Sequence, residues 1–189
     1  MLTPLLSTMK RLSPRKHDCC STSGGAIIGG SRIAPTMTEL FSDPIEARKK
    51  AMDYLARREH GRMELINKLT KFGFNANIAN DAVAQLVDDG LQCEQHFVEA
   101  FVRSRINQGK GPAKIRADLR EKGVDDNVVA EGLQEVEQNW YDLAVEVRLK
   151  KFGAGQPEDF KEKARQMRFL QSRGFEQDHI QAAISAGNE

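Results

Sequence analysis

The chain has 189 residues, 40% hydrophobic and 29% charged, with 28 Lys and Arg against 27 Asp and Glu and a formal net charge of +1. With a mean hydropathy of −0.53 and no run near the roughly 18 apolar residues that span a bilayer, a membrane protein is excluded. The near-neutral total argues against a generally basic nucleic-acid binder, and the three cysteines (Cys19, Cys20 and Cys93) make no disulfide framework, which fits a reducing, cytoplasmic setting.

Residues 1–40 hold a Ser/Gly-rich stretch from Ser21 to Ser31, no amphipathic period, and five basic residues against two acidic ones. Such a segment buries too little apolar surface to offset its ordering entropy, so a disordered extension is expected, and Met37 is a second candidate translation start. The start lacks the apolar core and cleavage site of a secretory signal. The first helix is announced by Asp43-Pro44-Ile45-Glu46: Asp as N-cap, Pro at the first helical position, and Glu reaching back to the cap. Apolar residues then recur at helical spacing, and no alternating strand pattern occurs. Glycines at 61, 73, 90, 109, 123, 153, 174 and 187 are each suited to end a helix in a left-handed cap, which divides the chain into nine helices.

The helices repeat. Glu64 to Asn75, Lys114 to Asp125 and Arg165 to Glu176 share a leucine four residues before a glycine (Leu69, Leu119, Leu170 before Gly73, Gly123, Gly174), then Phe74, Val124 or Phe175. Three tandem three-helix repeats are therefore expected, at 41–92, 93–138 and 139–189, each closing a small core and stacking in line into an elongated, all-α body. Trp140, the only tryptophan, suits a packing anchor between repeats better than a stacking platform.

Charge follows the repeat. Net charge is +5 over 48–71, −5 over 72–102, +5 over 103–122, −7 over 123–147, +5 over 148–173 and −3 over 174–189. Stacked in one orientation, such repeats present a basic and an acidic side, suited to a partner that is itself repetitive and charged; pairing of opposite blocks within a repeat is the competing account. No P-loop, nucleophile elbow or metal-ligand spacing is present, and His17, His60, His96 and His179 are scattered, as caps or surface residues. No catalytic, cofactor or metal residues are assigned, and an enzyme is not expected. The Gly109-Lys110-Gly111-Pro112 turn ends one helix and starts the next. The two helices flanking each repeat glycine resemble a helix-turn-helix, yet the second is acidic and would be repelled by major-groove phosphates.

The runs AMDYLARREHGRMELINKLTKFGF (51–74) and FVRSRINQGKGPAKIRADLREKGV (101–124) resemble the bacterial RecX family, regulators of the RecA recombinase, over the chain from Pro44 to near its end. The resemblance implies tandem three-helix repeats in a curved body. It implies an inhibitor lying in the groove of the RecA–DNA filament, limiting filament growth, ATP hydrolysis and strand exchange in DNA repair, recombination and the SOS response. The family supplies no catalytic residues and no cofactor. On charge, the candidate partner-binding residues are Arg57, Arg58, Arg62, Arg103, Arg105, Lys110, Lys114, Arg116 and Arg120, facing acidic filament surface or bound DNA, with internal salt bridges as the alternative. A monomer that binds RecA filaments is expected; a direct, non-specific DNA-binding protein is the second reading.

Overall fold

The computed structural model describes residues 43–186 except Gln156 and Glu158. The expected disordered extension and Met37 lie outside the described residues. Among these residues there are nine helices and no strand: α1 (Pro44–Leu55), α2 (Arg62–Phe72), α3 (Ala76–Asp88), α4 (Glu94–Asn107), α5 (Pro112–Glu121), α6 (Asp126–Glu135), α7 (Trp140–Phe152), α8 (Phe160–Arg173) and α9 (Gln177–Ser185).

Local chemistry explains the boundaries. Asp43 caps α1 by accepting from the Ile45 N–H at 2.8 Å. The reciprocal half of that cap does not form: Glu46 takes the Lys49 ammonium at 2.7 Å instead, because a charge-assisted bond one turn on competes with a backbone donor. Gly73, Gly90, Gly109, Gly123, Gly153 and Gly174 adopt positive φ. Gly61 departs from expectation: at φ −70 it is the N-cap of α2, and Gly187 lies outside the described residues. Of the adjacent aspartates after Gly123, Asp125 caps α6 through the Asn127 N–H at 2.9 Å. Asp126, in the first turn of α6, pairs with Arg120 at 2.6 Å.

All the extensive helix packing lies within triplets: α1 on α3, α4 on α6 and α7 on α9, with the second helix of each against the third. Each triplet has its own buried cluster, around Leu65, Leu69 and Leu86, around Phe97, Ile115 and Leu119, and around Leu143, Leu170 and Ile180. Each such leucine removed from water contributes about 2 kcal/mol, so the three clusters are three small cores. Trp140 and Ile106 touch both the second and third clusters, which makes Trp140 the anchor between repeats that the sequence suggested.

The two junctions differ. At the first, between α1–α3 and α4–α6, side chains do the joining: Gln92 donates to the His60 carbonyl at 3.2 Å, Lys122 pairs with Glu64 at 3.3 Å, and Met63 lies against Gly123. At the second, backbone meets backbone. The Gly111 N–H donates to the Arg173 carbonyl at 2.9 Å and the Ala113 N–H to the Gly174 carbonyl at 3.1 Å. Among the described residues no backbone-to-backbone hydrogen bond crosses the first junction.

Among the described residues Arg148 is the largest fully buried side chain. Aligning the buried Phe97, Val98 and Val102 of α4 with Leu143, Ala144 and Arg148 of α7 puts it where the second repeat has a valine. Its Nε donates to Gln166 Oε1 at 3.0 Å and one terminal nitrogen to the Gly155 carbonyl at 2.6 Å; the other terminal nitrogen is buried without a partner.

Candidate partner-binding surface

Six of the nine candidate basic residues carry an internal ion pair. Arg58 pairs with Glu64, Arg103 with Glu99 at 3.3 Å, Arg105 with Asp118 at 3.2 Å, and Lys114 also with Asp118 at 3.0 Å. Arg116 reaches across the second junction to Glu176 at 3.0 Å, and Arg120 holds Asp126. Arg57 and Arg62 are exposed and Lys110 half-buried, and among the described residues these three side chains have no ion-pair partner. The exposed pairs among them, such as Arg103–Glu99, Arg116–Glu176 and Arg120–Asp126, are worth about 0.2–1 kcal/mol, so a partner's carboxylates or phosphates can compete for those cations.

The pairs converge on two carboxylates. Glu64 is approached by Arg58, by Lys122 at 3.3 Å and by Lys68 at 3.9 Å. Burial acts to raise its carboxyl, but the hydrogen bonds and charges of Arg58 and Lys122 outweigh that and hold it below the usual carboxylate range. Asp118 serves Arg105 and Lys114. Around them Lys68, Lys71, Arg105 and Lys122 line a groove with Glu121 on its rim. Cations outnumber carboxylates, so the groove is net positive. Lys68, Lys71 and Lys122 were not among the residues charge-counting singled out, although Lys122 directly precedes a repeat glycine.

His60, expected as a cap or a surface residue, is instead buried at the first junction. Its Nδ1 lies 2.9 Å from the Arg58 carbonyl and its Nε2 2.7 Å from Lys68 Nζ. The carbonyl can only accept and the ammonium can only donate, so the ring is neutral with the proton on Nδ1. Burial, and then the nearby Arg58 and Lys68 charges, push its pKa below the ordinary 6.5. Burial and Arg58 also lower Lys68. A group that binds its proton less readily when folded makes stability rise with pH, so stability should fall as pH drops below about 6.5 toward the lower folded value. Thermal melts between about pH 7.5 and 5.5 should show this loss. His60→Gln, whose amide can donate to the same carbonyl and accept from Lys68, should flatten the profile; an unchanged slope would assign it elsewhere. His179 does act as a cap, on α9 with Glu176.

The acidic blocks also cluster. Glu135 of α6, an exposed carboxyl, is raised first by its neighbour Glu99 of α4 and then by Glu131, so three carboxylates crowd one face of the second repeat. Among the described residues no helix is long and apolar enough to cross a membrane, and no group of three or more His, Cys, Asp or Glu is placed to hold a metal ion.

Three family models match in series: "RecX, first three-helix domain" over 47–86, the second domain over 94–133 and the third over 137–184. The regulatory protein RecX of Halorhodospira halophila is 42% identical over 153 residues, covering 81% of this chain and 95% of that one. That of Pseudomonas entomophila is 39% identical over 149 residues, covering 79% and 96%. The crystal structure of RecX from Lactobacillus salivarius superposes with a TM-score of 0.63 at 21% identity, over 77% of this chain and 96% of that one. A second RecX crystal structure gives 0.64 at 22%, over 76% and 71%.

Proposed function

Because the chain belongs to the RecX family of regulatory proteins, we propose that it inhibits the RecA recombinase by lying in the groove of the RecA–DNA filament and limiting filament growth, ATP hydrolysis and strand exchange. The observation that carries the reading is the pairing of a net positive groove around Glu64 and Asp118 with the carboxylate cluster Glu99, Glu131 and Glu135. A filament of protein and DNA offers both signs along its length; bare DNA offers one, and would repel the acidic cluster.

The nine basic residues are proposed as contacts in two groups. Arg57, Arg62 and Lys110 offer side chains without an internal ion pair. Arg58, Arg103, Lys114, Arg116 and Arg120 exchange internal pairs of exposed cations for pairs with the filament, and Arg105 exchanges a half-buried one. Arg57→Glu with Arg62→Glu should weaken inhibition of RecA ATP hydrolysis about tenfold while changing folding stability by no more than about 0.5 kcal/mol, because both side chains are exposed. Sedimentation with RecA alone, DNA alone and RecA on DNA should recover the protein chiefly with the filament. Equal recovery with bare DNA at moderate salt would overturn the regulatory reading.

A further inference from the structure

A second groove at the first junction, sharing Arg105 and Lys122 with the one around Glu64 and Asp118, has a counterpart at the second junction. One is lined by Arg58, Glu59, Phe101, Ser104, Arg105 and Lys122 and has a volume of about 400 Å³. The other is lined by Gln108, Glu146, Val147, Lys150, Lys151 and Arg173 and has a volume of about 570 Å³. The residues correspond under the alignment of buried positions given above: Phe101, Ser104 and Arg105 of α4 fall on Val147, Lys150 and Lys151 of α7. Lys122 and Arg173 both precede the repeat glycine. In each groove a basic residue of the first helix faces a basic residue closing the second helix.

The second groove has the freer charge. At the first, all three cations meet a carboxylate, Glu64 or Asp118. At the second, Glu146 takes Lys150 at 2.5 Å, and Lys151 has no ion-pair partner among the described residues. Arg173 donates to the Gln108 carbonyl at 2.9 Å and sits 5.1 Å above the Phe169 ring, with no carboxylate.

We infer that the groove between the second and third repeats, walled by Lys150, Lys151 and Arg173, seats the phosphodiester backbone of a nucleic acid, with the first-junction groove as its in-register counterpart. A backbone carrying one charge per nucleotide meets recurring cations whatever its sequence, whereas a protein face would need carboxylates placed to match both junctions. In use this rests on the filament reading, because the filament supplies the DNA; the oligonucleotide test stands apart from it.

The test is fluorescence anisotropy of a labelled oligothymidylate with the full chain, across a salt series. Lys150→Glu with Lys151→Glu, both at exposed positions, should weaken binding about tenfold and make the slope of log affinity against log salt shallower by about 1.4, the loss of two single-strand phosphate contacts. Lys161→Glu with Lys163→Glu makes the same charge change outside the groove and should keep most of the affinity. Equal loss in both variants would reduce the effect to net charge and overturn the site. Unchanged oligonucleotide binding also overturns it, and if sedimentation with RecA alone is lost at the same time, the groove takes an acidic protein surface instead. Failure of the regulatory reading shows separately, as equal sedimentation of the unaltered protein with bare DNA and with filament.

Discussion

Gly111→Ala should detach the third repeat from the second while leaving each three-helix core formed. A Cβ at this position would stand 2.4 Å from the Gly174 carbonyl oxygen and 2.5 Å from the Phe175 nitrogen. Those are backbone atoms, with no rotamer to move aside. The φ of −83 suits alanine, so the penalty comes from the junction alone, about 3 kcal/mol or more. Relief requires the two chains to part, which breaks the hydrogen bonds from the Gly111 and Ala113 amides. Native-state hydrogen exchange should show the Ala113 amide losing protection while amides in the middle of α5 and α8 keep theirs. Gly90→Ala is the control: its φ is +69 but nothing lies within 4 Å, so only conformational strain of about 1 kcal/mol is expected. If Gly111→Ala melts like the unaltered protein with full protection at Ala113, the close approach does not hold the repeats together.

The second large effect belongs to Arg148. Arg148→Ala empties a core position and strips Gln166 Oε1 and the Gly155 carbonyl of their donor, for a loss of about 3 kcal/mol. Arg148→Met keeps most of the volume and removes an unpaired terminal nitrogen, so it should recover most of that loss in a thermal or denaturant melt. The two variants share one defect, the release of the Gly155 carbonyl from the core. Limited proteolysis should therefore cut between α7 and α8 in both. A methionine variant as unstable as the alanine one would show that the hydrogen bonds, not the packing, carry the site.

The repeat was legible because its signals are local. Leu69, Leu119 and Leu170, each four residues before a glycine of positive φ, are fully buried in three separate cores. Gly61 misled because a glycine serves an N-cap as well as a C-cap, and only its surroundings, here the Phe97 ring 3.0 Å from where a Cβ would be, tell the two apart. Charge counting found the basic blocks but not their partners. Arg116 and Glu176 lie 60 residues apart, Lys122 and Glu64 58, and such pairs depend on how one repeat meets the next. Counting also placed Arg148 with the surface cations, since a block sum records that a residue is charged and not which way its helix turns it. Glu64 and Asp118 drew no notice as minority acids in basic blocks, yet they organise the surface.

A joint of side chains can be altered one residue at a time, and a joint of backbone cannot. Replacing Met63, Glu64 or Lys122 resizes the spacer at the first junction without touching a main-chain hydrogen bond, whereas any side chain at Gly111 or Gly174 collides with main chain or with Lys114. The pitch of the array is therefore adjustable at one joint and fixed at the other. Changing that pitch would call for substitutions around Met63, Glu64 and Lys122, with the second and third repeats carried along as one piece.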